Sequence, residues 1–150
     1  MSNSYTSRIL KLALMLLITV SCGKPDWKPA PVAAGDACAF CKMAISEKRY
    51  AAQFLDPDGQ ATMFDEIGCM MSFLKNRPRN EVAAMFVTDY PTQQWIAANK
   101  AYYVRSSSYR TPMAGGIVAF QDATRAKDEA AKNKGELWTS EQFLQLLGKS

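Results

Sequence analysis

Residues 49–64 read RYAAQFLDPDGQATMF, two short apolar stretches on either side of an Asp-Pro-Asp-Gly tetrapeptide. Proline and glycine in one tetrapeptide are typical of a turn, because proline presets φ and glycine accepts left-handed backbone. We therefore predict a β-hairpin with a strand over 49–55, a turn over 56–59 and a returning strand over 60–64.

The residues after this hairpin predict a helix and then another strand. Asp65 can cap a helix that begins near Glu66, because its carboxylate can accept hydrogen bonds from the free amides of the first turn. The helix ends at 76–78, where a proline stands, and a strand follows over 82–88. Its apolar residues recur at helical spacing: Ile67, Met70, Met71 and Leu74.

The same order of elements returns in the second half of the chain. Strands are predicted over 101–105 and 116–120, then a helix from Asp122 to about Lys134, then a short strand over 135–138. Phe64-Asp65 before the first helix and Phe120-Gln121-Asp122 before the second occupy equivalent places. We therefore predict an α+β fold of two small ββαβ units in tandem, over about 36–90 and 91–150.

A C-terminal helix completes the predicted fold. Thr139 and Gln142 have the spacing of a capping box, and Trp138 is placed to pack onto Phe143. The apolar residues of this helix should pack against the sheet: Phe143, Leu144, Leu146 and Leu147.

Residues 1–21 are typical of an export signal. Basic residues precede the mainly apolar run 12–20, which is too short to span a bilayer permanently. Ser21-Cys22 resembles a bacterial lipobox, in which the cysteine is acylated and becomes the first residue, although Thr19 stands where leucine is usual. We predict a lipid anchor at Cys22, with a plain signal peptide cleaved nearby as the alternative.

The segment 22–35 is predicted to be a lipidated N-terminus and linker. It is rich in proline and has no apolar periodicity, so it is typical of a semi-extended tether. It would hold a folded domain over 36–150 on the periplasmic side of a bacterial membrane. Whether that membrane is the inner or the outer one stays open.

Composition argues against several functional classes. Removing Arg8 and Lys11 with the signal from the 18 basic residues leaves 16 against 14 acidic ones, a balance that does not favour nucleic-acid binding. The chain has no histidine, no glycine-rich phosphate loop and no serine in a nucleophile elbow. We therefore do not expect an enzyme of the hydrolase or nucleotide-using kind.

Cys38-Ala-Phe-Cys41-Lys-Met43 places two thiols and a thioether within a short segment. Soft sulfur donors favour Cu(I), whereas zinc usually recruits imidazole or a full set of thiolates. Lys42 could favour the Cys41 thiolate by its charge. A local disulfide between Cys38 and Cys41 is the alternative that an exported protein permits, and Met43 could equally fill a gap in the core.

Two further sulfur residues are candidates. Met113 lies in the proline- and glycine-bounded loop 111–116, where an exposed thioether suggests a ligand. Cys69 falls in the first turn of the first predicted helix, where the helix dipole would lower its pKa. Cys69 is left open as a ligand, a disulfide partner or a small buried residue. Met63, Met70, Met71 and Met85 are predicted to lie in the core.

The segments 36–43, 112–115 and 118–120, behind a lipoprotein-like signal, resemble the NosL family of copper-binding lipoproteins. The resemblance implies a fold of two ββαβ units and a periplasmic Cu(I) chaperone, not an enzyme. It also implies a role in assembling the copper-sulfide centre of nitrous oxide reductase. The expected partner is that reductase or its maturation ABC transporter complex, or another copper-accepting enzyme.

The chain departs from this resemblance at the cysteine motif. Many members have histidine between the cysteines and glycine before the methionine, whereas this chain has Ala39-Phe40 and Lys42. An oxygen donor such as Asp36 suits Cu(I) poorly. We therefore predict an all-sulfur Cu(I) site drawn from Cys38, Cys41, Met43, Met113 and Cys69.

Two rival functions use the same cysteine pair. A thiol-disulfide oxidoreductase normally places its first cysteine at the start of a helix that follows a strand, whereas this motif precedes the first predicted strand. A copper-responsive structural lipoprotein would hold Cys38 and Cys41 as a disulfide and take up no metal.

Overall fold

The computed structural model describes residues 25–75 and 77–148. The predicted signal peptide and the lipid anchor at Cys22 lie outside these residues. The described part contains strands and helices in the order β1 (Ala52–Leu55), β2 (Ala61–Phe64), α1 (Ile67–Leu74), β3 (Ala84–Thr88), β4 (Trp95–Ala97), β5 (Tyr102–Arg105), β6 (Ile117–Phe120), α2 (Ala123–Lys132), β7 (Glu136–Trp138) and α3 (Ser140–Gly148).

Two antiparallel sheets repeat one topology. The first has the strand order β2-β1-β3-β4 and the second has the order β6-β5-β7. In each sheet the first strand of the unit is paired on one side with its hairpin partner and on the other with the strand that follows the helix. The predicted α+β fold with two ββαβ units and a C-terminal helix is therefore confirmed.

The first hairpin forms where the sequence predicts it. Leu55 pairs with Ala61 across the turn, and the Asp56 carboxylate accepts hydrogen bonds from the amides of Asp58 at 2.9 Å and Gln60 at 2.8 Å. Gly59 takes the left-handed conformation, with φ of +81°. The first strand starts later than predicted, because residues 48–50 form a 3₁₀ turn before it.

One edge strand was not predicted. β4 pairs with β3, with Trp95 opposite Thr88 and Ala97 opposite Phe86. A three-residue strand is too short to show an alternating pattern, so its pairing partner rather than its own sequence defines it.

The C-terminal helix α3 begins with the predicted capping box. The Thr139 amide donates to Gln142 Oε1 at 2.8 Å, and the Gln142 amide donates to Thr139 Oγ1 at 3.3 Å. Phe143 stacks on Tyr103 with ring centroids 4.1 Å apart. The prediction for Leu146 is wrong, since it is 40% exposed: the buried stripe runs through 143 and 147, and 146 falls beside it.

The two units share one hydrophobic core. Phe64, Ile67 and Met70 of the first unit belong to the same buried cluster as Tyr103 and Phe143 of the second. A parallel bridge between Asp89 and Ala119 also joins the two sheets. Among residues 25–75 and 77–148, no helix has the length and apolar character needed to span a bilayer.

Candidate metal centre

The segment 37–44 forms a closed loop before the first sheet. Ala37 and Ala44 pair as an isolated antiparallel bridge, and the Cys38 amide donates to the Met43 carbonyl at 2.8 Å. The Lys42 amide donates to the Cys38 carbonyl at 3.0 Å, and Lys42 has φ of 66°, in the left-handed region. This tight reversal brings the Cys41 amide within 3.5 Å of the Cys38 sulfur. The absence of periodicity in this segment predicts such a loop.

Four side chains from three segments converge at this loop. The sulfurs of Cys38, Cys41 and Cys69 and a carboxylate oxygen of Asp65 all lie within 4.8 Å of one another. The loop supplies the first two cysteines, the end of β2 leads directly into Asp65, and the first turn of α1 supplies Cys69. All three cysteines are free thiols, so the structure holds no disulfide between them. Three sulfurs and a carboxylate oxygen are a set of donors that can hold a metal ion.

Asp65 is the member of the cluster that the sequence did not predict. It was expected to cap α1, and that prediction is wrong: Glu66 occupies the cap position and no side chain caps the helix. Asp65 Oδ2 instead accepts a hydrogen bond from the Cys41 thiol at 3.2 Å. Its other oxygen, Oδ1, is buried and has no hydrogen-bond partner among the described residues. A carboxylate just before a helix is ordinarily a cap, so only the fold shows that Asp65 contacts the cysteines instead.

The electrostatics of the thiols differ from the prediction. Burial raises the pKa of the Cys69 thiol far above its usual range, and the neighbouring Asp65 carboxylate adds to the effect. Burial also raises the pKa of Cys41. The expected lowering by the helix dipole at Cys69 is therefore wrong. Lys42 is not among the groups that shift the pKa of Cys41, and its ammonium donates to the Ala39 carbonyl at 2.6 Å.

The two candidate methionines lie at the surface. Met43 is 49% exposed and Met113 is 47% exposed, so neither fills a gap in the core. Both are tied by backbone hydrogen bonds to residues of the cluster or next to it. The Met43 carbonyl accepts from the Cys38 amide, and the Met113 amide donates to Glu66 Oε2 at 3.0 Å. Phe40, between the two cysteines, is also exposed.

The remaining predicted residues take structural roles. Asp36 accepts a hydrogen bond from the Ala33 amide at 2.7 Å, which closes a turn, and it does not belong to the four-residue cluster. The methionines predicted to lie in the core do so, with Met70 fully buried and three others partly buried: Met63, Met71 and Met85.

The thiol environment does not resemble that of a thiol-disulfide oxidoreductase. Such enzymes attack through an accessible thiolate of low pKa. Here Cys38 is fully buried in a loop before β1, and burial raises the pKa of Cys41. The geometry therefore favours a binding site over a reactive cysteine pair.

Comparisons with known proteins agree with this description of the fold. The sequence model of the NosL family matches residues 29–145. A crystal structure of the copper chaperone NosL from Shewanella denitrificans matches with a TM-score of 0.70 and 20% sequence identity, over 77% of this chain and 94% of that chain. At that identity the structural match shows the fold. A search of curated proteins gave no match.

Proposed function

Because this chain belongs to the NosL family, we propose that it is a periplasmic chaperone that binds Cu(I) and hands it over, without catalysing a reaction. The observation that carries the proposal is the convergence of three free thiols from two separate segments within 4.8 Å. A soft metal ion such as Cu(I) is bound by sulfur ligands, and this convergence places several of them within reach of one ion.

The donors present suit Cu(I) in the absence of histidine. Cys38, Cys41 and Cys69 would supply the thiolates, and Met43 and Met113 would supply thioethers from the surface. Asp65 is a harder donor and is better suited to balancing charge beside the ion than to binding Cu(I) directly. Its buried, unpartnered oxygen is a further polar group that a bound cation would stabilise.

The raised thiol pKa values fit a carrier that works in an oxidising compartment. Thiolates, not thiols, attack disulfides and react with oxidants. Because burial raises the pKa of Cys41 and Cys69, these two residues are thiols at neutral pH in the metal-free protein. The metal-free chaperone would therefore resist oxidation until Cu(I) displaces the protons.

The layout of the site favours handover. Cys38 and Cys69 are buried, Cys41 is partly exposed, and Met43 and Met113 stand at the surface. An ion held by this set is reachable from one side, so a ligand from a partner can bind before the old ligands leave. Such stepwise exchange avoids free copper in solution.

The proposed client is nitrous oxide reductase, at the assembly of its copper-sulfide centre, with the maturation ABC transporter complex as the route. The resemblance of the cysteine and Pro-Met-Ala-Gly segments to the family supports this client. The lipid anchor proposed at Cys22 would keep the chaperone on the periplasmic face of the membrane where such an enzyme matures.

Metal binding is tested on the mature chain by competition with a Cu(I) indicator under anaerobic, reducing conditions. We expect one Cu(I) per chain, and no binding in the double variant Cys38→Ser/Cys41→Ser. Met63→Leu is the matched control, because Met63 is a partly buried residue that packs against Val32, Ile45 and Ala51 and is not a proposed ligand. Unchanged affinity in the double variant would refute the site.

The client is tested in a bacterium that makes nitrous oxide reductase and lacks its own copy of this chaperone. We expect the copper content of the purified reductase to rise when this chain is supplied, and to stay low with the double serine variant. Equal copper content with the two chains would contradict the delivery function while leaving metal binding intact.

A further inference from the structure

Glu66 is a second buried carboxylate, and it follows Asp65 of the four-residue cluster directly in the chain. It is 2% exposed, and its Oε2 accepts the hydrogen bond of the Met113 amide at 3.0 Å, between residues 47 positions apart. Among the hydrogen bonds within residues 25–75 and 77–148, this one alone joins the loop 111–116 to the first unit. The Met113 loop is therefore held to the start of α1 through one side chain.

Two glycines make room for this carboxylate. A Cβ atom added to Gly68, in α1, would stand 2.6 Å from Glu66 Oε1, and one added to Gly115, in the loop, would overlap the same oxygen. The two glycines also face each other, since that Cβ on Gly68 would be 3.6 Å from the Gly115 Cα. The helix and the loop thus close on Glu66 from both sides, and any larger residue would displace it.

The Met113 loop is itself well braced. The Ala114 amide donates to the Thr111 carbonyl at 2.9 Å, and the Gly116 amide donates to Thr111 Oγ1 at 2.9 Å. Gly116 has φ of +65°, and a Cβ there would lie 2.5 Å from the Ser106 carbonyl oxygen. These contacts fix the internal shape of the loop, and the hydrogen bond from the Met113 amide to Glu66 ties that shape to the start of α1.

We propose that Glu66 is a positioning residue that places the Met113 thioether at the mouth of the thiol cluster. The site is then composite: the first unit supplies the thiols, and Glu66 recruits the thioether from the second. This inference rests on the proposed function, because it takes Met113 as a Cu(I) ligand. Glu66 acts through the position of the loop and does not bind the metal.

A double-mutant cycle separates positioning from other roles. Cu(I) affinity is measured by indicator competition for the wild type, Glu66→Ala, Met113→Leu and the double variant. We expect Glu66→Ala to bind Cu(I) about 10-fold more weakly, the scale of effects from residues that orient a ligand. Met113→Leu removes the ligand itself and should weaken binding at least as much. We expect the double variant to bind no more weakly than Met113→Leu, since Glu66 has nothing left to position.

A spectroscopic readout follows the thioether directly. In protein labelled with methyl-¹³C methionine, the Met113 methyl signal is identified by its absence from Met113→Leu. We expect this signal to shift when Cu(I) is added to the wild type and to stay unshifted in Glu66→Ala. Glu66→Gln should restore the shift and the affinity, because its amide oxygen can still accept from the Met113 amide.

A second variant guards against loss of folding in Glu66→Ala. Gly115→Ala keeps Glu66 but forces its carboxylate away from the loop, so it should reproduce the loss of the Met113 shift and the weaker binding. Thermal unfolding followed by circular dichroism confirms that each variant is folded before it is titrated.

The outcomes distinguish failure of the positioning role of Glu66 from failure of the proposed Cu(I) binding. If the wild type binds no Cu(I), or Met113→Leu binds as tightly as the wild type, the proposed ligand set fails and the inference falls with it. If Met113→Leu binds more weakly but Glu66→Ala does not, Glu66 has no positioning role. Glu66 also has no positioning role if Glu66→Ala weakens Cu(I) binding equally in the wild type and in Met113→Leu. If Glu66→Gln binds as weakly as Glu66→Ala, the effect of Glu66 is one of charge and the positioning role is refuted.

Discussion

The two ββαβ units begin their helices differently. In the second unit, Asp122 accepts a hydrogen bond from the Arg125 amide at 2.7 Å and caps α2. In the first unit, α1 has no side-chain cap, although Asp65 and Glu66 stand at its start. Asp65 instead accepts a hydrogen bond from the Cys41 thiol, and Glu66 accepts one from the Met113 amide.

The helices also differ in burial. α1 is mainly apolar and buries Ile67, Cys69, Met70 and Leu74, whereas α2 buries Ala126 and Ala130. An N-terminal cap stabilises a helix by about 0.5–2 kcal/mol. α1 does without it because its buried face packs into the shared core. The two carboxylates at its start are thereby free to contact the Cys41 thiol and the Met113 loop.

The largest expected difference between the helices concerns their third residues, Cys69 in α1 and Arg125 in α2. Cys69→Ser should weaken Cu(I) binding by about 100-fold or more, because it replaces a proposed thiolate ligand by a hydroxyl, which is a poor donor for a soft ion, and even changes to residues that only orient a ligand cost about 10- to 100-fold. Indicator competition measures the affinity.

Arg125→Ser is the matched control in the second unit and should leave Cu(I) affinity unchanged. Met70→Leu, beside Cys69 in the same helix, should also bind as the wild type does and lose less than about 1.5 kcal/mol of stability. If Cys69→Ser binds Cu(I) as tightly as the wild type, Cys69 is a buried core residue and not a ligand.

A smaller effect is expected at Asp65. Asp65→Asn should weaken Cu(I) binding by about 10-fold, because a neutral amide no longer balances the charge of the ion. Its free energy of unfolding, measured by chemical denaturation, should not fall, because an amide costs less to bury than a carboxylate with an unpartnered oxygen. A clear loss of stability with unchanged affinity would return Asp65 to a structural role.

The smallest effect is expected at the equivalent aspartate of the second unit. Asp122→Ala should lower the free energy of unfolding by about 1 kcal/mol, since it removes the cap of α2. Asp122→Asn should retain most of that stability, because asparagine caps helices nearly as well. Neither variant should change Cu(I) affinity. A change would contradict the contrast between the two units, in which Asp122 only caps its helix and Asp65 serves the metal site.

Much of the fold follows from local patterns in the sequence. The Asp-Pro-Asp-Gly turn, the Asp122 cap and the Thr139–Gln142 capping box form as predicted, because each depends on residues within four positions of one another. β4 and the exposure of Leu146 escaped prediction, since an edge strand and the width of a buried stripe depend on what packs against them.

The sequence by itself determined the order of the elements apart from β4, the repeat and the supply of sulfur donors without histidine. Only the tertiary structure decided that Cys69 and Asp65 meet the Cys38–Cys41 loop, and that Glu66 meets Met113. It also reversed the expected pKa direction at Cys69. The physical reason is that caps and turns depend on neighbouring residues, whereas the meeting of these side chains depends on distant segments packing together. The same packing buries the Cys69 thiol and so raises its pKa.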